Sequence, residues 1–412
     1  MLVPLMVAQS FIPDGQRIAL ASMDFPVLRL LVCIALLRII LRNEFKFLRL
    51  LTLDKVVLTY GIVYLTLYTL QYPVFSSVVY SVGMSIDAIG GYFVVRILFR
   101  SESDLKTMVY TLLVIALVLI FFFFYESTQG INIINHLAGN FTPPIIRDGR
   151  LRARGAYPHP ILAGSFWAAI IPLLIGYHRT RGRVNLLVYL GVASGGAIIV
   201  FCASSTPIMS LAFGIMATVL YYQRSSLTDI KLFILITIVG LVLFWNRPIW
   251  YLFAKIDVAG GSTGYFRYLL IDQFIQHWKE WFPIGIRSTY HWGEGLGLAS
   301  VGLADIPNQY VLEGVRSGIL GLSLFIVSFV ISFRYISSIL REMTDEEERF
   351  RIWQIGVSLF VHLFSFMGVA YFGQVKLAWW MTLAIIGSFY QIKVNKPRIE
   401  PYAGVLLGKA CQ

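Results

Sequence analysis

Apolar runs of about 16 to 25 residues recur along the whole chain, and no other feature constrains its fold as strongly. A helix of that length matches the hydrocarbon thickness of a bilayer. Twelve such segments have approximate cores at 1–12, 26–41, 54–71, 76–95, 107–125, 160–177, 185–202, 206–222, 231–246, 309–332, 352–371 and 376–392. The composition agrees: of 412 residues 57% are apolar and 14% charged, against roughly 45–50% and 25% in soluble domains. A string of soluble domains, which the length alone would allow, is excluded. The expected class is an all-α polytopic membrane protein, a single integral membrane domain over 1–412 with about twelve transmembrane helices. The first segment is short and reads as a clipped span or a signal-like stretch. No basic region precedes it, which argues against a cleaved signal peptide.

Lys and Arg fall in every second loop. They are Arg42, Lys46 and Arg49; Arg96, Arg100 and Lys106; Arg179, Arg181 and Arg183; Arg224 and Lys231; Arg334, Arg341, Arg349 and Arg351; and Lys393, Lys396 and Arg398 in the tail. The short intervening loops 72–75 and 203–205 carry none. Basic loops face the cytoplasm, so one orientation fits the chain, with both termini cytoplasmic. The same rule accounts for much of the net charge of +12, and no nucleic-acid partner is expected. The acidic run 345–348 reads as a solvated cytoplasmic turn. Cys33, Cys202 and Cys411 show no disulfide or metal-ligand spacing, and the six histidines show no H-x-x-x-H pair.

Two long loops, 126–159 and 247–308, are expected on the outer, periplasmic face. The first carries Arg147, Arg150, Arg152 and Arg154 in eight residues, then Gly155, Tyr157, Pro158, His159 and Pro160. A guanidinium stays charged and presents a planar fork that suits phosphate. These arginines therefore read as a lipid-pyrophosphate site, or as an anionic-lipid anchor or a pairing with an acid such as Glu126. In the second loop, Gly264-Tyr265-Phe266-Arg267 opens a helix to about Phe282, with Phe266, Leu270, Phe274 and Trp278 every four residues. That spacing predicts an amphipathic helix in the membrane interface. Arg267 in its first turn reads as a phosphate ligand or as a snorkelling cation. The run Gly293–Gly297 follows no strand and is no dinucleotide fingerprint. Asp305 is a candidate general base for a sugar hydroxyl, or an N-cap with Asn308 for the next helix. His291 is a second candidate base. Charges inside the apolar segments demand partners: Glu313 and Arg316 are spaced to pair locally, and Asp87 needs a cation from another helix, Arg29 or Arg38.

Four features in order resemble the bacterial O-antigen ligase and O-antigen polymerase superfamily of lipid-linked, GT-C type glycosyltransferases. They are Arg152-x-Arg154-Gly155 with Pro158-His159-Pro160 and a segment holding Gly164 and Pro172; Ser204-Ser205-Thr206-Pro207; Gly264-x-x-Arg267 followed by Pro283-Ile284-Gly285; and Asn308-x-Tyr310 leading to Gly314 and Gly318. Together they cover about 145–325, and Asp87 with Tyr92 and Arg96 is similar to exopolysaccharide members. The resemblance implies an undecaprenyl-pyrophosphate-linked oligosaccharide as donor, on the periplasmic face of the inner membrane. It implies a growing chain or lipid A-core as acceptor, with membrane lipid and polysaccharide-assembly proteins as neighbours. Arg152 or Arg154, with Arg267, would hold the pyrophosphate, Asn308 and Tyr310 would shape the acceptor side, and no metal or cofactor is required. Arginines can stabilise a pyrophosphate leaving group without a cation, and attack at the anomeric carbon would invert it. Where ligases read His-Asn this chain has Pro307-Asn308, which turns the expectation from ligase to polymerase. A lipid-linked-saccharide transporter and a non-catalytic assembly subunit are the competing classes.

Overall fold

The computed structural model describes residues 1–20, 23–180, 182–255, 264–293 and 305–394. Arg181, Ser262, Thr263, the glycine run after Gly293 and the basic tail from Lys396 lie outside the described residues. The chain is all-α, with three small two-stranded hairpins. A helix occupies each of the twelve apolar segments. In chain order they are α1 (Leu2–Phe11), α2 (Val27–Leu41), α3 (Thr52–Gln71), α4 (Phe75–Leu98), α5 (Glu102–Gln129), α6 (Pro160–Ile175), α7 (Leu186–Phe201), α8 (Ser205–Val219) and α9 (Leu227–Phe244). Then come the loop helix α10 (Gly264–Gln276) and the last three, α11 (Gln309–Glu342), α12 (Glu346–Phe366) and α13 (Lys376–Lys393).

Four of these, α3, α4, α5 and α11, are long and apolar enough to cross a membrane. α6 and α7 have 16 residues each and α8 has 15. At ~1.5 Å per residue they reach roughly 24 Å, short of a hydrocarbon core of about 30 Å. α9 turns through 91° into Ile249–Lys255. Hydropathy counts apolar loop residues and helical ones alike, and here the helices stop early. α6 starts at a proline and ends before Gly176, and α7 ends at Phe201, two residues before Ala203, whose φ is 42°.

α6 lies at the centre: 14 of its 16 residues are buried, as a helix apolar on all sides requires. Gly164 lets it touch Pro207 of α8, since a Cβ there would sit 2.7 Å from the proline ring. α9 is the opposite case. Its large apolar side chains stay exposed, Phe233 at 71% and Phe244 at 86%, and such a surface is unsuited to water.

The basic loops meet at one end of the bundle. Arg224 and Arg349 bind Glu346, Lys393 binds Glu102 and Glu348, Arg100 binds Glu44, and the Gly182 amide donates to Glu347. Below them Arg96 and Asp54 form a fully buried pair at 3.1 Å, capped by the Tyr92 hydroxyl at 2.6 Å. The connections poor in Lys and Arg, with both long loops, meet at the other end. There Arg152 reaches Cys202, Gln374 reaches Ala156, and Asn308 reaches Met367.

α11 is broken at Ser317–Gly318, where Gly318 has φ 60°. Pro283-Ile284-Gly285 enters the break. The Ile286 amide donates to Val315 O at 2.8 Å, the Ile319 amide to Phe282 O at 2.9 Å, and Gln71 binds Arg316 O at 2.9 Å. Gly285 (φ 91°) and Gly318 face this contact, and a Cβ on either would meet a carbonyl oxygen at 2.3 Å. The second loop is thus built into the helix that follows it.

Candidate functional site

The first long loop is ordered by Glu126 at the end of α5. Its Oε2 accepts the Gly155 amide at 2.9 Å, and its Oε1 accepts Asn132 at 2.9 Å. Asn132 and Asn135 both donate to Gly155 O. Glu126 therefore binds the backbone of the arginine turn rather than a guanidinium. Gly155 has φ 57° and lies against Phe123, so no other residue fits. The hairpin Ile145–Arg147 with Arg150–Arg152 then carries the arginines. Arg152 is buried, and its Nε donates to Cys202 O at 3.1 Å.

Arg267 lies in the first turn of α10. Its Nε is buried and has no hydrogen-bond partner among the described residues. Burial pushes its pKa down to about 10, and the positive charge of Arg147 adds to the shift. The pKa of Arg152 is also lowered, first by burial and then by Arg147. Burial holds His159 at about 4, reinforced by Arg152, Arg154 and Arg147. Arg147 is thus the charge that links the two loops, and its own ion pair with Asp148 is long, at 3.8 Å. No salt bridge involves Arg152 or Arg267 among the described residues. Cations gathered this way lower one another's affinity for protons and raise it for an anion.

Beside this cluster lies a chain of cavities. One of about 390 Å³ is lined by Arg154, Asn135, Asn140, Tyr157 and Asp14. Asp14 is also a wall of a cavity of about 560 Å³ lined by Arg17, Asp24, Arg29, Asp87 and Lys376. Lys376 and Met84 pass on to a small pocket with Tyr60, Tyr64, Glu313 and Arg316. A π-helical turn at Ile86–Gly90 faces Asp87 to Arg29, which holds it with two bonds at 2.8 and 2.6 Å. Glu313 and Arg316 form no local ion pair. Glu313 accepts from Tyr60 at 2.8 Å and Gln309 at 2.7 Å, while Arg316 donates to Tyr64 at 3.4 Å. Two tyrosines of α3 and Gln309 of α11 itself have replaced the expected partner.

In the second loop, α10 stops at Gln276 and a separate turn, Trp278–Trp281, follows. A single helix to Phe282 would place Trp281 away from Phe274. Instead the Trp281 indole donates to Phe274 O at 2.8 Å, and the two rings stack at 4.1 Å. The break brings together histidines that sequence spacing keeps apart. His277 Nδ1 lies 2.7 Å from Glu280 Oε1, and His291 Nε2 lies 2.8 Å from Oε2. Burial alone would raise the pKa of Glu280, but hydrogen bonds from Trp292, His277 and His291 outweigh it and hold the carboxyl at about 2.

Of the residues singled out in the sequence, Arg152 and Arg154 share one loop, and Arg147 of that loop is the charge that bears on Arg267. His291 sits with Glu280 and His277. Asp305 is exposed in the coil before α11, and it is Asn308 that caps the helix, accepting the Val311 amide at 3.1 Å. Tyr310 donates to Leu363 O at 3.0 Å and packs on Phe325 and Phe366. Asp14, Arg17 and Lys376 escaped the sequence reading because each flanks an apolar run, where a lone charge signals nothing. No protein-family model and no curated protein matches the chain.

Proposed function

We propose that the chain is an integral membrane glycosyltransferase. It takes an undecaprenyl-pyrophosphate-linked oligosaccharide as donor on the outer face of the bacterial inner membrane and polymerises surface-polysaccharide repeat units. In this reading the twelve helices cross or enter the bilayer, both termini lie in the cytoplasm, and the loops 126–159 and 247–308 are periplasmic. The observation that carries it is Arg267, a half-buried side chain whose buried Nε has no partner among the described residues, under the influence of the same Arg147 that acts on Arg152. An anion with several oxygens satisfies such a cluster, and a pyrophosphate leaving group is one.

The chemistry follows from that placement. The acceptor hydroxyl attacks the anomeric carbon as the bond to the pyrophosphate oxygen breaks. The carrier pyrophosphate leaves into the arginine cluster, and the anomeric centre inverts. The hydroxyl proton needs a base. Asp14 borders both the Arg154 cavity and the larger charged cavity, and we assign it that role ahead of Asp305 and His291. The larger cavity, with Arg17, Arg29 and Asp24 on its wall, offers both donors and acceptors to a glycan.

The test is the length of surface and secreted glycan in a deletion strain complemented with wild type or Arg267→Ala. Loss of long polymer, with single repeat units still on carrier or surface, supports the polymerase. Lipid-linked polymer accumulating with none on lipid A-core moves the reading to ligase. The charged cavity among α2, α4 and α13 favours one second reading, a transporter of lipid-linked saccharide. In that case Arg267→Ala leaves polymer intact, and substitutions at Arg29 or Asp87 abolish it.

A further inference from the structure

We propose that His277, Glu280 and His291 form a binding site for one divalent transition-metal ion, zinc, with three protein ligands and a fourth position open to water. One ligand atom from each residue lies within 4.8 Å of the others. The set comes from two segments. His277 precedes the turn Trp278–Trp281, Glu280 is three residues further on that turn, and His291 returns on the turn Tyr290–Gly293. Two imidazoles and one carboxylate with an open position suit zinc in particular. The separations of 2.7 and 2.8 Å run to the two different carboxylate oxygens, and these, with the wider spacing of up to 4.8 Å in the set, must adjust to the roughly 3.3 Å expected between tetrahedral zinc ligands.

The surroundings support a cation rather than a set of ordinary hydrogen bonds. His277 Nε2 lies 3.2 Å from the Gln273 side-chain oxygen. A neutral imidazole has one N–H. In the tautomer that donates Nε2–H to Gln273, Nδ1 turns a lone pair toward a carboxylate oxygen 2.7 Å away. In that tautomer a proton or a metal ion must lie between the two. An outer partner on the far nitrogen is also the usual way a ligating histidine is oriented. Trp292 fixes the geometry further: it is fully buried, its indole donates to Glu280 Oε2 at 2.9 Å, and the His277 ring stacks on it at 5.4 Å and 15°. The ligand side chains remain 30%, 35% and 43% exposed, so an ion can reach them. A bound ion ties the turn bearing Trp292 to the turn bearing Trp281, and both tryptophans pack on Val311 and Val315 of α11. The site is separate from the arginine cluster, and its role is to brace the second loop, whatever that loop handles.

A shared proton on His277 is the competing occupant, and the experiment separates the two. The full-length, tag-free protein in detergent is stripped with a chelator and titrated with zinc alone at neutral pH, with binding heat and bound metal both measured. One zinc per chain at micromolar or tighter affinity is expected, with no heat from magnesium at the same concentration. Glu280→Gln and His291→Ala should weaken zinc by ~100-fold or more, and Gln273→Leu by about 10–100-fold, the range for outer partners. Gln273→Leu leaves all three ligands in place, so it remains informative if a ligand variant folds poorly. Absence of saturable zinc binding by the wild type overturns the site, as does equal binding of magnesium. Unchanged affinity in Glu280→Gln or His291→Ala also overturns it.

Discussion

Arg267 combines a buried Nε, unpartnered among the described residues, with a neighbouring positive charge, a placement that opposes stability. Replacing it by alanine should improve thermal stability slightly or leave it unchanged, while polymer synthesis falls about 100-fold, the usual cost of one oxyanion donor. Arg267→Lys keeps the charge but loses the planar fork, and polymer length in that strain should resemble alanine more than wild type. Asp14→Asn should lower turnover by roughly 10²–10⁴-fold, the range for a general base. Asp305→Asn should leave polymer length unchanged. Equal loss in both would remove Asp14 from the role assigned to it. The arginines were legible in the sequence because four of them in eight residues on a loop expected to face outward have no topological explanation. Asp14 was not, because its importance comes from two cavities meeting at its side chain, and cavities have no sequence signature.

At the scale of single elements, His159 offers a titratable handle. It caps α6, its Nδ1 accepting the Ile161 amide at 3.2 Å, and its pKa is held near 4 against an ordinary 6.5. The folded state resists the proton that the unfolded chain accepts. Stability is therefore full above pH 6.5 and is lost as pH falls toward 4. Asn is a good N-cap without a titrating group, so thermal unfolding of His159→Asn should lose the part of the pH dependence lying in that window. A second test concerns the join between loop and α11. Gly285→Ala places a Cβ against Val315 O at a φ of 91° and should cost about 1–3 kcal/mol. Unfolding midpoints of the detergent-solubilised variant check this. Helix positions were readable from the apolar runs, but the helix ends were not. The stop of α10 depends on an indole taking a backbone carbonyl, and the break in α11 depends on a loop arriving from thirty-odd residues earlier.

Taken whole, the molecule separates its charges by end. Every basic loop with described contacts is tied to an acidic partner or a backbone group at one end, while the arginines of the two long loops gather at the other. The alternation of Lys and Arg along the sequence anticipated this sorting, the pattern expected of a chain whose basic loops are retained on one side during insertion. Impermeant thiol reagents check it in a chain with its native cysteines replaced. Leu137→Cys in the first long loop should label in intact spheroplasts, and Gln223→Cys near Arg224 only after permeabilisation. Labelling of both from outside would reject the orientation. What the sequence could not convey is how few of the helices meet the length of a bilayer alone. That depends on where each helix stops, and the short helices α7 and α8, packed on α6, still leave Leu186, Val200 and Val219 exposed.

The glycine tongue in α11 also limits how substrates arrive. Lifting the second loop at its root would strip the bonds that join Ile286 to Val315, Phe282 to Ile319 and Ile284 to Gln71. Carbonyls left bare in hydrocarbon cost several kcal/mol each, so the loop is anchored and cannot swing as a hinged cover. A long polyprenyl chain would then have to slide in sideways between helices, its tail never leaving the lipid. The aqueous mouth would be left free for the sugar end and for the next acceptor.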